Sequence, residues 1–140
     1  VSRPVRSAAD DEGSVLLLTL GYAILALVLV LVCVDATSLY LAQKRADAAA
    51  DAAALAGADG FVLTVTAGGA TAELTDDGVA EQAAALLAAT GTATLVSAGT
   101  PDGTSAEVTV QTQWHPPVLT LFVPEGWTLQ ATATSRTALR

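Results

Sequence analysis

The sequence predicts an α+β chain built on one long N-terminal helix, first membrane-spanning and then amphipathic. A second short helix and an antiparallel β-sheet of three to five strands follow it. Three observations predict this. Ser14 to Val34 (SVLLLTLGYAILALVLVLVCV) is an uncharged apolar run closed by Asp35. From Asp35 to Ala58 a helical, alanine-rich pattern continues with no Gly or Pro before Gly57. Beyond Gly60 the pattern turns to β-branched alternation punctuated by Gly and Pro, with one further helical stretch.

Val1 to Gly13 (VSRPVRSAADDEG) is a short polar tail, expected to be disordered, whose Asp10, Asp11 and Glu12 suit the positive end of a helix dipole. Ser14 to Val34 comprises about twenty residues, which at about 1.5 Å per residue match a hydrocarbon core of about 30 Å. The run is longer than a secretory h-region and lacks a small-residue cleavage pattern, so it reads as a retained anchor. Arg3 and Arg6 on one flank nearly balance Lys44 and Arg45 on the other. The acidic, base-poor remainder inclines the orientation toward an N-terminus inside the cell. Cys33, the single cysteine, excludes an intramolecular disulfide and reads as a small buried hydrophobe.

The next segment, 35–58, extends the same helix. Leu39, Ala42, Ala46, Ala49, Ala53 and Ala56 recur at spacings of three and four, a heptad-like stripe. Alanine buries little area but lets another element approach closely. The stripe therefore packs on the chain's own domain, on neighbouring copies, or on both along different parts of the rod. Asp35 has two readings: a headgroup-level carboxylate reached by water, or a partner for a cation on an adjacent subunit that sets register. Tyr22, within the run, reads as helix packing.

The remainder, 59–140, reads as one small α+β domain outside the cytoplasm. Gly57 and Gly60 stop the helix. Phe61 to Thr66 is a strand or an extended connection, Gly68-Gly69 a loop, and Thr71 to Leu74 has no assigned state. A second helix spans Gly78 to Thr90, with Asp76 and Asp77 as cap candidates and Gly91 as its stop. Its apolar face comprises Val79, Ala83, Leu86 and Leu87. Thr92 to Ala98 and Ser105 to Trp114 form a hairpin, the second alternating with Ala106, Val108 and Val110 on one face. Val118 to Val123 is a short strand or edge segment after Pro116-Pro117, and Trp127 to Ala138 is the last strand.

Composition excludes several functions. The net charge is −8, and no Lys or Arg occurs between Arg45 and Arg136. A nucleic-acid binder needs clustered positive charge, as does attraction to an anionic membrane surface. His115 is the single histidine and has no second ligand at metal spacing. Asp76-Asp77 fits a helix cap better than a cation site. There is no G-x-S-x-G turn, and Gly68-Gly69 lacks the Lys of a phosphate loop. No catalytic residue, cofactor, metal, nucleic acid or small-molecule substrate is expected. Trp127 reads as packing over the sheet edge.

The string VDATSLYLAQKRADAAADAAALAGA (residues 34–58) resembles the N-terminal motif of TadE/TadG-like proteins of the tight-adherence (Flp) pilus system. That motif is an apolar helix ending in Asp, then a Tyr, a basic residue and an Ala-Ala-Asp-Ala-Ala-Ala-Leu-Ala-Gly-Ala stretch. Here those positions are Asp35, Tyr40, Arg45 and Ala49 to Ala58, and Gly13-Ser14-Val15 also fits. The resemblance implies a pilin-like fold and a minor pilin or pseudopilin-like component of a pilus or type II-related secretion machine. It further implies an inner-membrane anchor, a C-terminal domain outside the cytoplasm, and other pilin or assembly subunits as partners through the helix. Gly13 and Ser14 flank the processing site it implies, although Leu18 stands where related substrates carry Glu. The arginine-over-lysine, alanine-rich composition suits a high-GC actinobacterium. The competing reading is a single-pass anchored binding module with the helix as spacer.

Overall fold

The computed structural model describes residues 8–136. Alanine-rich sequence with a helix-favouring apolar run produces a single unbroken helix, α1, from Ala8 to Ala58, 51 residues and about 76 Å long at about 1.5 Å per residue. It begins earlier than the polar-tail reading places it. Asp10, Asp11 and Glu12 lie in its opening turns rather than ahead of it. Residues 1–7 lie outside the described residues.

The domain continues as β1 (Phe61–Thr66), β2 (Gly69–Leu74), α2 (Asp76–Thr90), β3 (Thr94–Gly99), β4 (Ser105–Trp114), a 3-10 turn η1 (Leu119–Leu121) and β5 (Trp127–Arg136). Two antiparallel sheets result: a β1-β2 hairpin, and a three-stranded sheet ordered β3-β4-β5. Thr71 to Leu74 is thus a strand, paired from Thr66↔Gly69 to Phe61↔Leu74 across a turn at Ala67-Gly68. Gly69 opens the strand at φ 138°, a conformation that favours glycine. Val118 to Val123 is not a strand. Pro116 and Pro117 deny the ladder two donors, and η1 forms instead, closed by Phe122 N to Leu119 O at 2.9 Å. The last strand ends at Arg136, and the remainder of its expected span lies outside the described residues.

Helix α2 begins two residues earlier than expected, and its cap is Thr75. The Thr75 hydroxyl accepts from Gly78 N at 3.2 Å. Asp76 does not cap the helix. Its Oδ1 accepts from Thr100 N at 2.7 Å and so fixes the end of β3 against the helix start. Gly91 closes α2 in the left-handed conformation, its N–H bonding to Leu87 O at 2.8 Å.

The sheet is two-faced, as an antiparallel sheet with one wet side should be. Ala106, Val108, Val110, Ala131 and Ala133 point into the core. Thr109, Gln113, Thr128 and Thr132 lie on the opposite face, where Thr109 bonds to Thr132 at 2.8 Å and Gln113 to Thr128 at 2.9 Å. α1 covers the inner face of β4 and β5, while α2 fills the corner between α1 and β3. From α1 the core takes Ala46, Ala49, Ala50, Ala53, Ala54 and Ala58. Val79, Ala83 and Leu87 of α2 are buried as the sequence predicts, with Leu86 half-buried.

Small residues set the spacing of these layers. A Cβ on Gly60 would fall 2.5 Å from Gly78 O and 2.7 Å from Gly78 C, so the end of α1 and the start of α2 meet backbone to backbone. Gly60→Ala should therefore cost about 1–3 kcal/mol, the range for overpacking against atoms that cannot rotate away. Gly68→Ala, where a Cβ would meet nothing within 4 Å, should be near neutral in the same melting experiment.

The β3–β4 turn carries a titratable clamp. Asp102 accepts from Thr104 N at 2.9 Å, Ser105 N at 2.6 Å and Ser105 Oγ at 2.8 Å. These donors hold its carboxyl at about 2, below the usual carboxylate range. Because the folded pKa is depressed, the clamp stabilises fully above the unfolded value of about 3.9 and is lost as pH falls through about 2. The melting-temperature advantage over Asp102→Ala should be constant above about pH 4 and shrink toward about pH 2.

Candidate functional site

The residues singled out by sequence all lie along α1, and the structure sorts them by face. Gly13 and Ser14 are exposed on the helix. Ala46, Ala49 and Ala53 are buried against the domain, while Leu39, Ala42 and Ala56 are half-buried. The core-facing stripe is wider than the heptad spacing indicates, taking in Ala50, Ala54, Gly57 and Ala58 as well. Tyr40 points outward, 61% exposed, with Lys44 Nζ 5.9 Å from its ring centre. Cys33 is also exposed on the rod rather than buried by protein.

Asp35 packs against the chain's own domain. It is only 7% exposed. Its Oδ1 accepts the backbone N–H of Val118 at 3.1 Å, and its Oδ2 is buried with no partner among the described residues. One turn on, Ser38 Oγ accepts from Trp114 Nε1 at 3.1 Å. Gln43 Nε2 donates to Gln130 O at 3.2 Å and to Asp47 Oδ1 at 3.0 Å. Thus three polar residues of α1 tie the end of β4, the following loop and β5 to the rod where the apolar run stops. Sequence reasoning misses Ser38, Gln43 and Val118. A signal exists, since Asp35 precedes Leu39 by four and continues the 39, 42, 46 stripe backwards.

Beside this seam Lys44 and Asp47 form an exposed pair at 3.2 Å. Asp47 sits below the usual carboxylate range through its bonds from Gln43 and then Lys44, and Asp47 in turn raises Lys44. Water screens such a pair, so it contributes little to holding the seam.

Two open grooves run along α1. One, of about 630 Å³, is lined by Leu29, Val30, Cys33, Thr37, Leu41 and Arg45. The other, of about 640 Å³, lies between α1, α2 and the foot of the sheet, lined by Arg45, Ala48, Ala52, Leu86, Trp114 and His115 among others. Arg45 borders both. Among the described residues no three of His, Cys, Asp and Glu gather as a metal site. What these surfaces can do is accept apolar, closely approaching side chains.

Removing the Asp35 carboxylate should free the loop after β4. Asp35→Ala leaves the Val118 N–H unpaired, an expected loss of about 1–3 kcal/mol, whereas Asp35→Asn keeps an acceptor and should lose less. Melting of the detergent-solubilised full chain, with proteolytic cleavage of residues 115–126 as a local readout, checks both.

One helix among the described residues is long and apolar enough to cross a membrane, by length and composition, and it fits a single-pass anchor. Residues 13–60 match the family described as "Putative Flp pilus-assembly TadE/G-like". No curated protein and no solved structure matches the chain. The match covers the apolar span and the alanine rod together and ends where α1 meets α2. Over this segment, about a third of the chain, the sequence is similar to that family.

Proposed function

We infer that the protein is a minor pilin- or pseudopilin-like structural component of a tight-adherence pilus or related secretion machine, acting by helix packing and not by catalysis. It sits in the inner membrane with the domain of residues 59–140 outside the cytoplasm. Its partners are other pilin or assembly subunits, met through α1. The observation that carries the reading is the division of the rod. One face of residues 46–58 is consumed by the chain's own core, while the grooves past Cys33, Thr37, Ala48 and Ala52 remain open to a second helix. Small residues on such a face permit close approach in lipid and in water alike.

The anchored binding module with a spacer helix is less well supported. A spacer would be separable from its domain, yet Ala46 to Ala58 form a wall of that domain's core.

Ala48 and Ala52 are exposed, so enlarging them leaves the fold intact. Ala48→Trp with Ala52→Trp should keep the melting temperature and membrane level. Surface filaments should fall about tenfold or more, which corresponds to losing about 1.4 kcal/mol of packing per subunit. Normal filaments in this variant and in a deletion strain would refute the reading. The intact mass of membrane-purified protein decides its processing: loss of Val1 to Gly13 marks cleavage before Ser14 and entry into filaments, and an intact tail marks a static anchor.

A further inference from the structure

We propose that the loop between β4 and β5, together with the first residue of β5, is an interfacial foot, in which Leu119, Phe122 and Trp127 enter the headgroup region of the bilayer that α1 crosses. The occupant of this apolar patch is lipid. The inference goes beyond a role in pilus assembly and rests on reading residues 14–34 as a bilayer span.

The register between rod and sheet carries it. Ala106, near the start of β4, lies beside Gly57, and Trp114, at its end, bonds to Ser38. Gly57 to Ser38 is about 28 Å along a helix at about 1.5 Å per residue. Ala106 to Trp114 is about 26 Å along a strand at about 3.3 Å per residue. The two lengths agree, so β4 runs down the rod toward the span with little tilt. The chain continues past Trp114, and Val118 N reaches Asp35 at 3.1 Å. Asp35 is the first charged residue after the apolar run, and η1 starts one residue after Val118. Headgroup zones extend about 5–7 Å beyond the hydrocarbon on each side. The loop turns within that depth.

Its side chains suit the place. Phe122 is 80% exposed, Trp127 57% and Leu119 41%. Trp is enriched at membrane–water interfaces, where its apolar ring and N–H are both satisfied. Between His115 and Gly126 the one charged residue is Glu125, so insertion depends on apolar contact rather than on anionic lipid. Height above the span, more than exposure, singles this loop out. The β1-β2 hairpin also exposes Val62, Leu63 and Val65, but it springs from the far end of α1, about 37 Å above Asp35 at about 1.5 Å per residue, out of reach of the bilayer.

The test uses the full chain in phosphatidylcholine vesicles, with an environment-sensitive fluorophore on one cysteine at a time. The sites are native Cys33, Phe122→Cys and Val65→Cys, the last two combined with Cys33→Ala. Quenching by lipids brominated near the headgroup is compared with quenching by aqueous iodide. Labels at 33 and 122 should be quenched by lipid and shielded from iodide, and the label at 65 the reverse. The inserted-to-free ratio at 122 should be on the order of tenfold or more, as for burial of a Phe-sized side chain. It should not change when phosphatidylglycerol replaces part of the lipid. Iodide quenching at 122 equal to that at 65 overturns the foot. Shielding at 122 without lipid quenching also overturns it, because a protein then covers the patch. If the label at 33 is quenched by iodide as fully as that at 65, the span reading fails and the foot with it. Melting curves of the Phe122→Cys chain verify that the fold is retained.

Discussion

The close fit of an alanine face against a sheet is the contact on which the rest of the molecule depends. Ala46, Ala50, Ala53 and Ala54 are at most 1% exposed, and each methyl contributes only about 0.8 kcal/mol of burial. Such a core gains less from area than from proximity. With no bulky side chains between layers, the backbones of α1, α2 and the sheet come close enough for Val79, Val108 and Val110 to fill the remaining space. Larger residues on α1 would widen the gap and leave those valines in contact with voids. The small aromatic content therefore reflects a geometric demand. It also explains why Gly57, Gly60 and Gly78 cluster where the two helices and β4 converge.

Because α1 is continuous, the constraint is transmitted along the rod. A domain packed on residues 46–58 has its position relative to the apolar run fixed by the rise of a helix, about 1.5 Å per residue, not by a linker. The seam at Asp35, Ser38 and Gln43 completes this attachment at the lower end of the sheet. A buried carboxylate whose Oδ1 accepts one backbone N–H and whose Oδ2 has no partner among the described residues is a costly arrangement. The loop it holds turns beside the end of the apolar run.

Much of this is legible in the sequence, and the failures have identifiable causes. Long periodic segments declare their kind: α1, α2, and β4 with its alternating Ala106, Val108 and Val110. The N-terminal extent of α1 is harder to read because its charged residues resemble a tail, although acids at that end favour helix. Two aspartates following Thr75 obscure it as the cap, and Asp76 is engaged instead by Thr100, 24 residues away. Val118 to Val123 has β-forming composition, but two prolines and the bond to Asp35 override it. In the site, local spacing reveals the alanine stripe but not what it faces. Partners such as Trp114 and Val118 are 76 and 83 residues from theirs, and no periodicity encodes such distances.

Helical periodicity gives α1 two distinct faces. Residues 35, 39, 42, 46, 50 and 53 turn toward the domain, whereas 33, 37, 41, 45, 48 and 52 form a second stripe about a quarter turn or more away. The second stripe passes from the apolar run into the cleft beside α2 without interruption, with Arg45 at the junction of its two grooves. A helix lying along it would contact both the apolar run and the alanine-rich part of the rod at once. That is the physical requirement for a component that stands in a membrane and also packs with neighbours beyond it. An anchor joined to its domain by a flexible linker could not satisfy it, because the two halves of the stripe would no longer be held in phase.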